Sequence, residues 1–250
     1  MRYIGLAGLV AFSITAATSV MAENKAFSTP RGVVELFTSQ GCSSCPPADA
    51  AFIEIVEKDG IIAVSYHVDY WNYRGWEDTL SSRKYSDRQY GYASTLGHSN
   101  VYTPQAVLNG RDDATASDVA AIMGKLDAMR AEGRGLTVPV TASLSPEELK
   151  IEIGAGQGKA DIVVAYIRER ATIAIGRGEN AGETIDYVHP VVDMATIGMW
   201  SGEAATIRLP AALVTKAGHD GCAIFLQTRD ADGNPGAILG AAILDDYGKN

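Results

Sequence analysis

Gly32–Thr38 is a β-branched and apolar run of the buried-strand type, and it breaks at Ser39-Gln40-Gly41. Immediately after it come Cys42-Ser43-Ser44-Cys45 and Pro46-Pro47. Apolar residues then recur at three- and four-residue steps, Ala48, Ala51, Phe52, Ile55 and Val56, up to Gly60. A strand is thus handed straight into an amphipathic helix. Both prolines fall in a first helical turn, where the N–H they lack has no partner to lose. A chain built this way has to carry the helix on one face of a sheet.

The next segments extend that pattern. Residues 61–68 read as a second β-rich strand, and residues 79–96 as a helix with Leu80, Tyr85, Tyr92 and Leu96 on one side. Gln105–Leu108 is a strand, Asn109-Gly110 a turn of the kind that needs positive φ, and residues 111–115 the return strand. Ser117-Asp118 caps a helix that runs through Ile122, Met123, Leu126 and Met129 to Gly133. This order predicts a mixed central sheet covered by helices on both faces, spanning residues 31–134. Gly133-Arg134-Gly135 reads as a linker. Beyond it, seven strand candidates (138–144, 149–153, 162–175, 184–192, 205–209, 222–228 and 237–244) are divided by Gly, Pro, Asn and Asp, with no helical period. They predict an all-β, sandwich-like domain over residues 137–250.

Residues 1–22 read as an export signal: one cation at Arg2, an uncharged apolar stretch, then Val20-Met21-Ala22 before Glu23. No later stretch approaches spanning length, so the expectation is a periplasmic or secreted protein with no stable membrane insertion after cleavage. Lys and Arg number 21 against 30 for Asp and Glu, a formal charge of -9, which excludes a phosphate backbone as partner. With three cysteines in 250 residues the fold must rest on its core rather than on a disulfide framework.

The chemistry is concentrated in the C-x-x-C. At the exit of a strand and the entrance of a helix, Cys42 faces free backbone N–H groups and the positive end of the helix dipole, which favour a thiolate. Cys42 is then the attacking sulfur and Cys45, one turn inside, the resolving one. A static short-loop disulfide and half of a zinc site are the other readings, although no second C-x-x-C or His pair accompanies it. Thr103-Pro104 stands at the start of a strand, where proline is tolerated and a cis bond turns the chain sharply.

Together these residues are similar to the thioredoxin fold, whose members set a cis-proline loop against the redox pair and bind extended peptide or thiol substrate there. More narrowly, Val34 to Asp49 (VELFTSQGCSSCPPAD), His67-Val68-Asp69-Tyr70-Trp71, Thr103-Pro104 with Asn109-Gly110, and Gly176-Arg177-Gly178-Glu179-Asn180 resemble the exported bacterial family catalogued as domain of unknown function 1223. The resemblance implies an α/β thioredoxin-like domain followed by the sandwich-like one. It also implies that Thr103 and Pro104 align the substrate. Glu35 resembles the buried carboxylate that takes a proton from the inner cysteine; a satisfied core carboxylate is the alternative.

His67 and Asp69 lie two apart at the carboxyl end of the second strand and, with Trp71, are candidates to bind substrate or steady the thiolate; a loop histidine bonded to its neighbours is the plainer reading. Trp71, Trp76 and seven tyrosines crowd residues 66–102, either lining a cleft or packing a helix on a sheet. Cys222 reads as a buried hydrophobe. The glycine-rich loop around residues 176–182 reads as a hairpin connection leaning over the pair.

Three functions follow. The first is thiol-disulfide exchange with a protein or small-molecule partner, without cofactor or metal. The second is a binding module with a structural disulfide, and the third is Cu(I) handling by two thiolates and His67.

Overall fold

The computed structural model describes Met1, residues 29–216 and residues 218–245. The expected export signal, residues 1–22, lies outside the described residues apart from Met1. Among the described residues there are thirteen strands and three α-helices.

The first half follows the expected order. β1 (Gly32–Thr38) leads into α1 (Pro46–Val56), then β2 (Ile61–His67), α2 (Arg83–Leu96), the hairpin β3 (Gln105–Leu108) and β4 (Asp112–Thr115), and α3 (Val119–Ala131). The sheet order is β2-β1-β3-β4, with β1 parallel to β2 and antiparallel to β3. α2 starts at Arg83 rather than near residue 79. Ser82 caps it by accepting from Lys84 N, while the Asp78 carboxylate takes Leu80 N at 2.8 Å, so the preceding residues are bonded out of helical register. Asp118 caps α3 by accepting from Ala121 N at 2.9 Å.

The second half carries nine strands. β5 (Val140–Leu144) and β6 (Glu148–Ile153) join β11 (Ala205–Pro210) in a three-stranded sheet; β7 (Ala160–Ile167), β10 (Val191–Trp200), β12 (Gly221–Arg229) and β13 (Pro235–Leu244) form a four-stranded one. β8 (Arg170–Ala174) and β9 (Thr184–Val188) make a separate two-stranded ladder. The runs expected as single strands at 162–175 and 184–192 are each split. The first divides at Arg168-Glu169, and the second at His189, whose φ of 46° turns the chain before Pro190.

The fold class expected from sequence, a thioredoxin-like α/β domain with helices on both faces followed by an all-β sandwich-like domain, is overturned. The described residues are mostly β, in several small sheets, with only three α-helices. Alternation along β1 shows why. Val34 and Leu36 point to one face, where Ala48, Phe52 and Ile55 of α1 and Ile122, Leu126 and Met129 of α3 cover them. Val33 and Phe37 point to the other, together with Val64, Tyr66 and Val107. Strands chiefly cover that face, through Val163, Ala165, Ile167, Ala223, Phe225 and Ala241, with Tyr85 and Tyr92 of α2 filling the edge. The far side of the same four-stranded sheet then packs on β5 and β6 through Ile162, Val164, Ile224, Val140, Leu149 and Ile151. Three sheets stack with helices on the outermost one.

Candidate functional site

Cys42 and Cys45 are joined as a disulfide at the entrance to α1. The turn before it is tied by Cys42 N to Ser39 O at 3.2 Å and Gly41 N to Ser39 Oγ at 3.1 Å. Gly41 is closely packed: a Cβ there would press on the Trp71 carbonyl oxygen at 3.2 Å and push it back by a few tenths of an ångström. Cys45 occupies the N-cap of α1, and its carbonyl accepts from Ala48 N at 2.8 Å and Asp49 N at 3.0 Å. The pair therefore sits at the positive end of the α1 dipole, but without free N–H groups, because Pro46 and Pro47 have none and those of Ala48 and Asp49 are taken by the Cys45 carbonyl.

The Thr103-Pro104 bond is cis, and this loop meets the disulfide. Trp71 Nε1 donates to Thr103 Oγ1 at 2.8 Å, and Thr103 Oγ1 donates in turn to Cys42 Sγ at 3.3 Å. Because the indole fills an acceptor site of the hydroxyl, the hydroxyl proton is aimed at sulfur. Ser44 Oγ also lies 3.3 Å from Cys42 Sγ. Cys42 is 1% exposed and Cys45 0%, beneath the exposed Ser43 and Ser44.

The loop between β8 and β9 straps the turn. Asn180, 7% exposed, donates through Nδ2 to Gln40 O at 2.9 Å and to Cys42 O at 3.0 Å. Glu179 pairs with Arg74 at 2.6 Å, and a hydrogen bond from Ser43, followed by the Arg74 charge, holds its carboxyl below the usual range. Trp76 Nε1 donates to Gln40 Oε1 at 2.8 Å, fixing the strap's other flank.

Behind the pair lies a buried polar cluster, of which sequence reasoning singled out His67 alone; at 0% exposed, it faces this cluster rather than solvent. Thr38 Oγ1 donates to Asp49 Oδ1 at 2.7 Å; His67 Nδ1 meets Asp78 Oδ2 at 2.7 Å; Gln40 N donates to the same Asp78 oxygen at 2.8 Å. The Tyr187 ring of β9 stands edge-on to His67 at 4.6 Å between centroids. Burial pushes the Asp49 carboxyl up to about 7, against the Thr38 hydrogen bond and the His67 charge. Burial lowers His67, but the Asp78 carboxylate outweighs it by charge and hydrogen bond, so the imidazole stays protonated to a higher pH than usual. The spacing of Asp49 four residues after Cys45 was the available signal.

Other residues singled out in sequence lie elsewhere. Glu35 shares the face of Val33 and Phe37, opposite α1. Arg88 pairs with it at 2.7 Å, and the Tyr92 hydroxyl donates to it. Asp69 is bound to α2: its backbone N donates to Ser86 Oγ at 3.0 Å, and its carboxylate accepts from the same hydroxyl. Tyr66, Tyr85 and Tyr92 are core, whereas Tyr73, Tyr90 and Tyr102 are exposed. Cys222 is fully buried in β12. Among the described residues no group of three or more His, Cys, Asp or Glu is placed to hold a metal ion, and no helix is long and apolar enough to cross a membrane.

Fold and site together define a strand-rich, stacked-sheet protein whose C-x-x-C disulfide sits at a helix entrance beneath a hairpin strap. The chain belongs to the family described as protein of unknown function (DUF1223), whose sequence model matches residues 33–227. It is 49% identical to an Agrobacterium tumefaciens protein known from its X-ray crystal structure, with a TM-score of 0.82, over 89% of this chain and 97% of that one. HBP35 of Porphyromonas gingivalis, at 14% identity, shares the fold alone, with a TM-score of 0.57 over 88% of this chain and 76% of that one. None of the curated proteins matches.

Proposed function

We propose that this protein is an exported thiol-disulfide oxidoreductase, periplasmic or secreted, that exchanges with a protein or small-molecule thiol or disulfide through Cys42 and Cys45. The observation that carries this reading is the donor chain from Trp71 Nε1 through Thr103 Oγ1 to Cys42 Sγ at the entrance of α1. Hydrogen bonds to a charged group are worth about 1.5–3 kcal/mol, so this arrangement favours Cys42 as a thiolate. A structural staple explains less. A disulfide closing so short a loop restrains the unfolded chain by roughly 2 kcal/mol, near the bottom of the usual range.

In the oxidised protein, a substrate thiolate attacks Cys42 Sγ, the Cys42–Cys45 bond breaks, and Cys45 leaves as a thiolate that takes up a proton. A second substrate thiol then displaces Cys42, so that the substrate leaves as a disulfide and the protein holds two thiols. The reverse sequence reduces a substrate disulfide. Ser44 is exposed, with its Oγ 3.3 Å from the sulfur that is attacked.

The burial of both cysteines favours a second reading, a binding module in which the pair is a permanent crosslink. Measuring the reduction potential of the pair separates the two, by alkylating free thiols across glutathione redox buffers with Cys222→Ala as control. A value between about -120 and -270 mV supports exchange; one below about -300 mV marks a structural disulfide and overturns it.

A further inference from the structure

The step that breaks or forms the Cys42–Cys45 bond needs a proton donor or acceptor for Cys45, the sulfur turned away from solvent. Cys45 is fully buried, so bulk water does not reach it. Glu35, on the far face of β1 and locked to Arg88, is unavailable. Asp49 lies one helical turn beyond Cys45, its backbone N bonded to the Cys45 carbonyl oxygen. Side chains on a helix tilt toward its N-terminus, so the Asp49 carboxyl lies over the turn that holds Cys45. Thr38 satisfies Oδ1, but Asp49 Oδ2 is buried with no hydrogen-bond partner among the described residues. His67 Nε2 and Tyr187 Oη, facing the same cluster, are buried without partners as well.

The geometry points to Asp49 as the group that exchanges a proton with Cys45 Sγ, with His67 and Asp78 as positioning residues that set its charge. This rests on the exchange reading above. When the disulfide opens, the Asp49 carboxyl gives its proton to the departing Cys45 thiolate and becomes a carboxylate. When the dithiol closes on a mixed disulfide at Cys42, the carboxylate takes the Cys45 proton, Cys45 attacks Cys42 Sγ, and the substrate thiolate leaves and is protonated by solvent. The carboxyl, pushed up to about 7, is suited to both directions at neutral pH. The titratable groups facing it are His67 of β2, Asp78 of the following loop and Tyr187 of β9. α3 meets α1 through apolar side chains.

The test uses the reduced protein and 5,5′-dithiobis(2-nitrobenzoate). Attack by Cys42 releases a first thionitrobenzoate, and displacement by Cys45 releases the second. Asp49→Asn is expected to slow the second release on the order of a hundredfold at neutral pH, leave the first unchanged, and recover as the pH rises. His67→Gln, by removing the facing positive charge, is expected to move the midpoint of the second release to higher pH. Equal second-phase rates in wild type and Asp49→Asn at every pH overturn the proposal. A wild-type protein that gives no first release overturns the exchange reading instead, and this assignment with it. If Asp49→Asn does not fold, infrared difference spectra of the wild type decide. Loss of a protonated-carboxyl band on reduction supports the assignment, and no change in that region overturns it.

Discussion

Asp49 couples the site to stability. Its carboxyl has the ordinary value 3.8 when free and about 7 in the fold, so between those values the folded chain holds a proton that the unfolded chain has released. The contribution is fully present at acid pH and is lost as the pH rises through 7, amounting to at most about 4 kcal/mol over the window. His67 acts in the same direction, because the fold also holds its proton beyond 6.5. Urea unfolding at about pH 5 and about pH 8 is therefore expected to show a smaller loss of stability with rising pH in Asp49→Asn than in the wild type. Identical pH dependence in the two proteins would refute this. The sequence alone offers Glu35 for the role proposed for Asp49, and the reason is also local. Both are lone acids beside the C-x-x-C, and alternation places Glu35 in a core without saying which side of β1 the helix takes. Arg88, 53 residues away, claims it. Cys42, Cys45, Thr103 and Pro104 were legible because their chemistry is written in adjacent residues. Asn180 was legible only as part of the glycine-rich loop that leans over the pair, its bonds to Gln40 O and Cys42 O being invisible in sequence. Asp78 was not legible, since nothing local marks the acid that His67 and Gln40 N share.

The β3–β4 hairpin shows what an element boundary can demand. Asn109 and Gly110 both take positive φ, as the dipeptide implies, and Asn109 Oδ1 accepts from Val33 N at 2.8 Å while its carbonyl accepts from Ile238 N at 2.9 Å. A Cβ on Gly110 would collide with the Gly236 carbonyl oxygen, which is backbone and has nowhere to go. Gly110→Ala is expected to cost about 2–5 kcal/mol, from the left-handed backbone and the collision together. Gly97→Ala, also at positive φ but with nothing within 4 Å, should cost only about 1 kcal/mol. Equal denaturation midpoints for the two variants would show that the close approach is unimportant. Strands with a clear apolar pattern were readable from their residues: β6 alternates about one buried face, and β1 and β12 are nearly continuous apolar runs buried on both. β10 was not: it is an edge strand with two register shifts, so its residues 193–200 mix Asp, Thr and Gly with apolar side chains and read as loop.

What the sequence concealed was how the layers meet. Apolar alternation says that a face is covered, not by what, and the inner face of the β2-β1-β3-β4 sheet finds strands where helices were expected. Val33, Phe37, Val64 and Tyr66 are 0% exposed there. Stripping the second sheet from them costs on the order of 6–12 kcal/mol at 1.5–3 kcal/mol each, comparable with the entire stability of an ordinary domain. Residues 31–134 produced alone are thus expected to show no cooperative unfolding transition, and the longer chain a single one. A folded, cooperatively melting fragment would contradict the shared core. The β8–β9 ladder pairs with neither large sheet, and only its base, through Tyr187 and Val188, is buried against them. Its tip can therefore change in length and composition without disturbing the layers, provided Asn180 is kept. Rewriting a handful of residues at that tip would therefore change who reaches the sulfur while leaving the stacked layers beneath it in place.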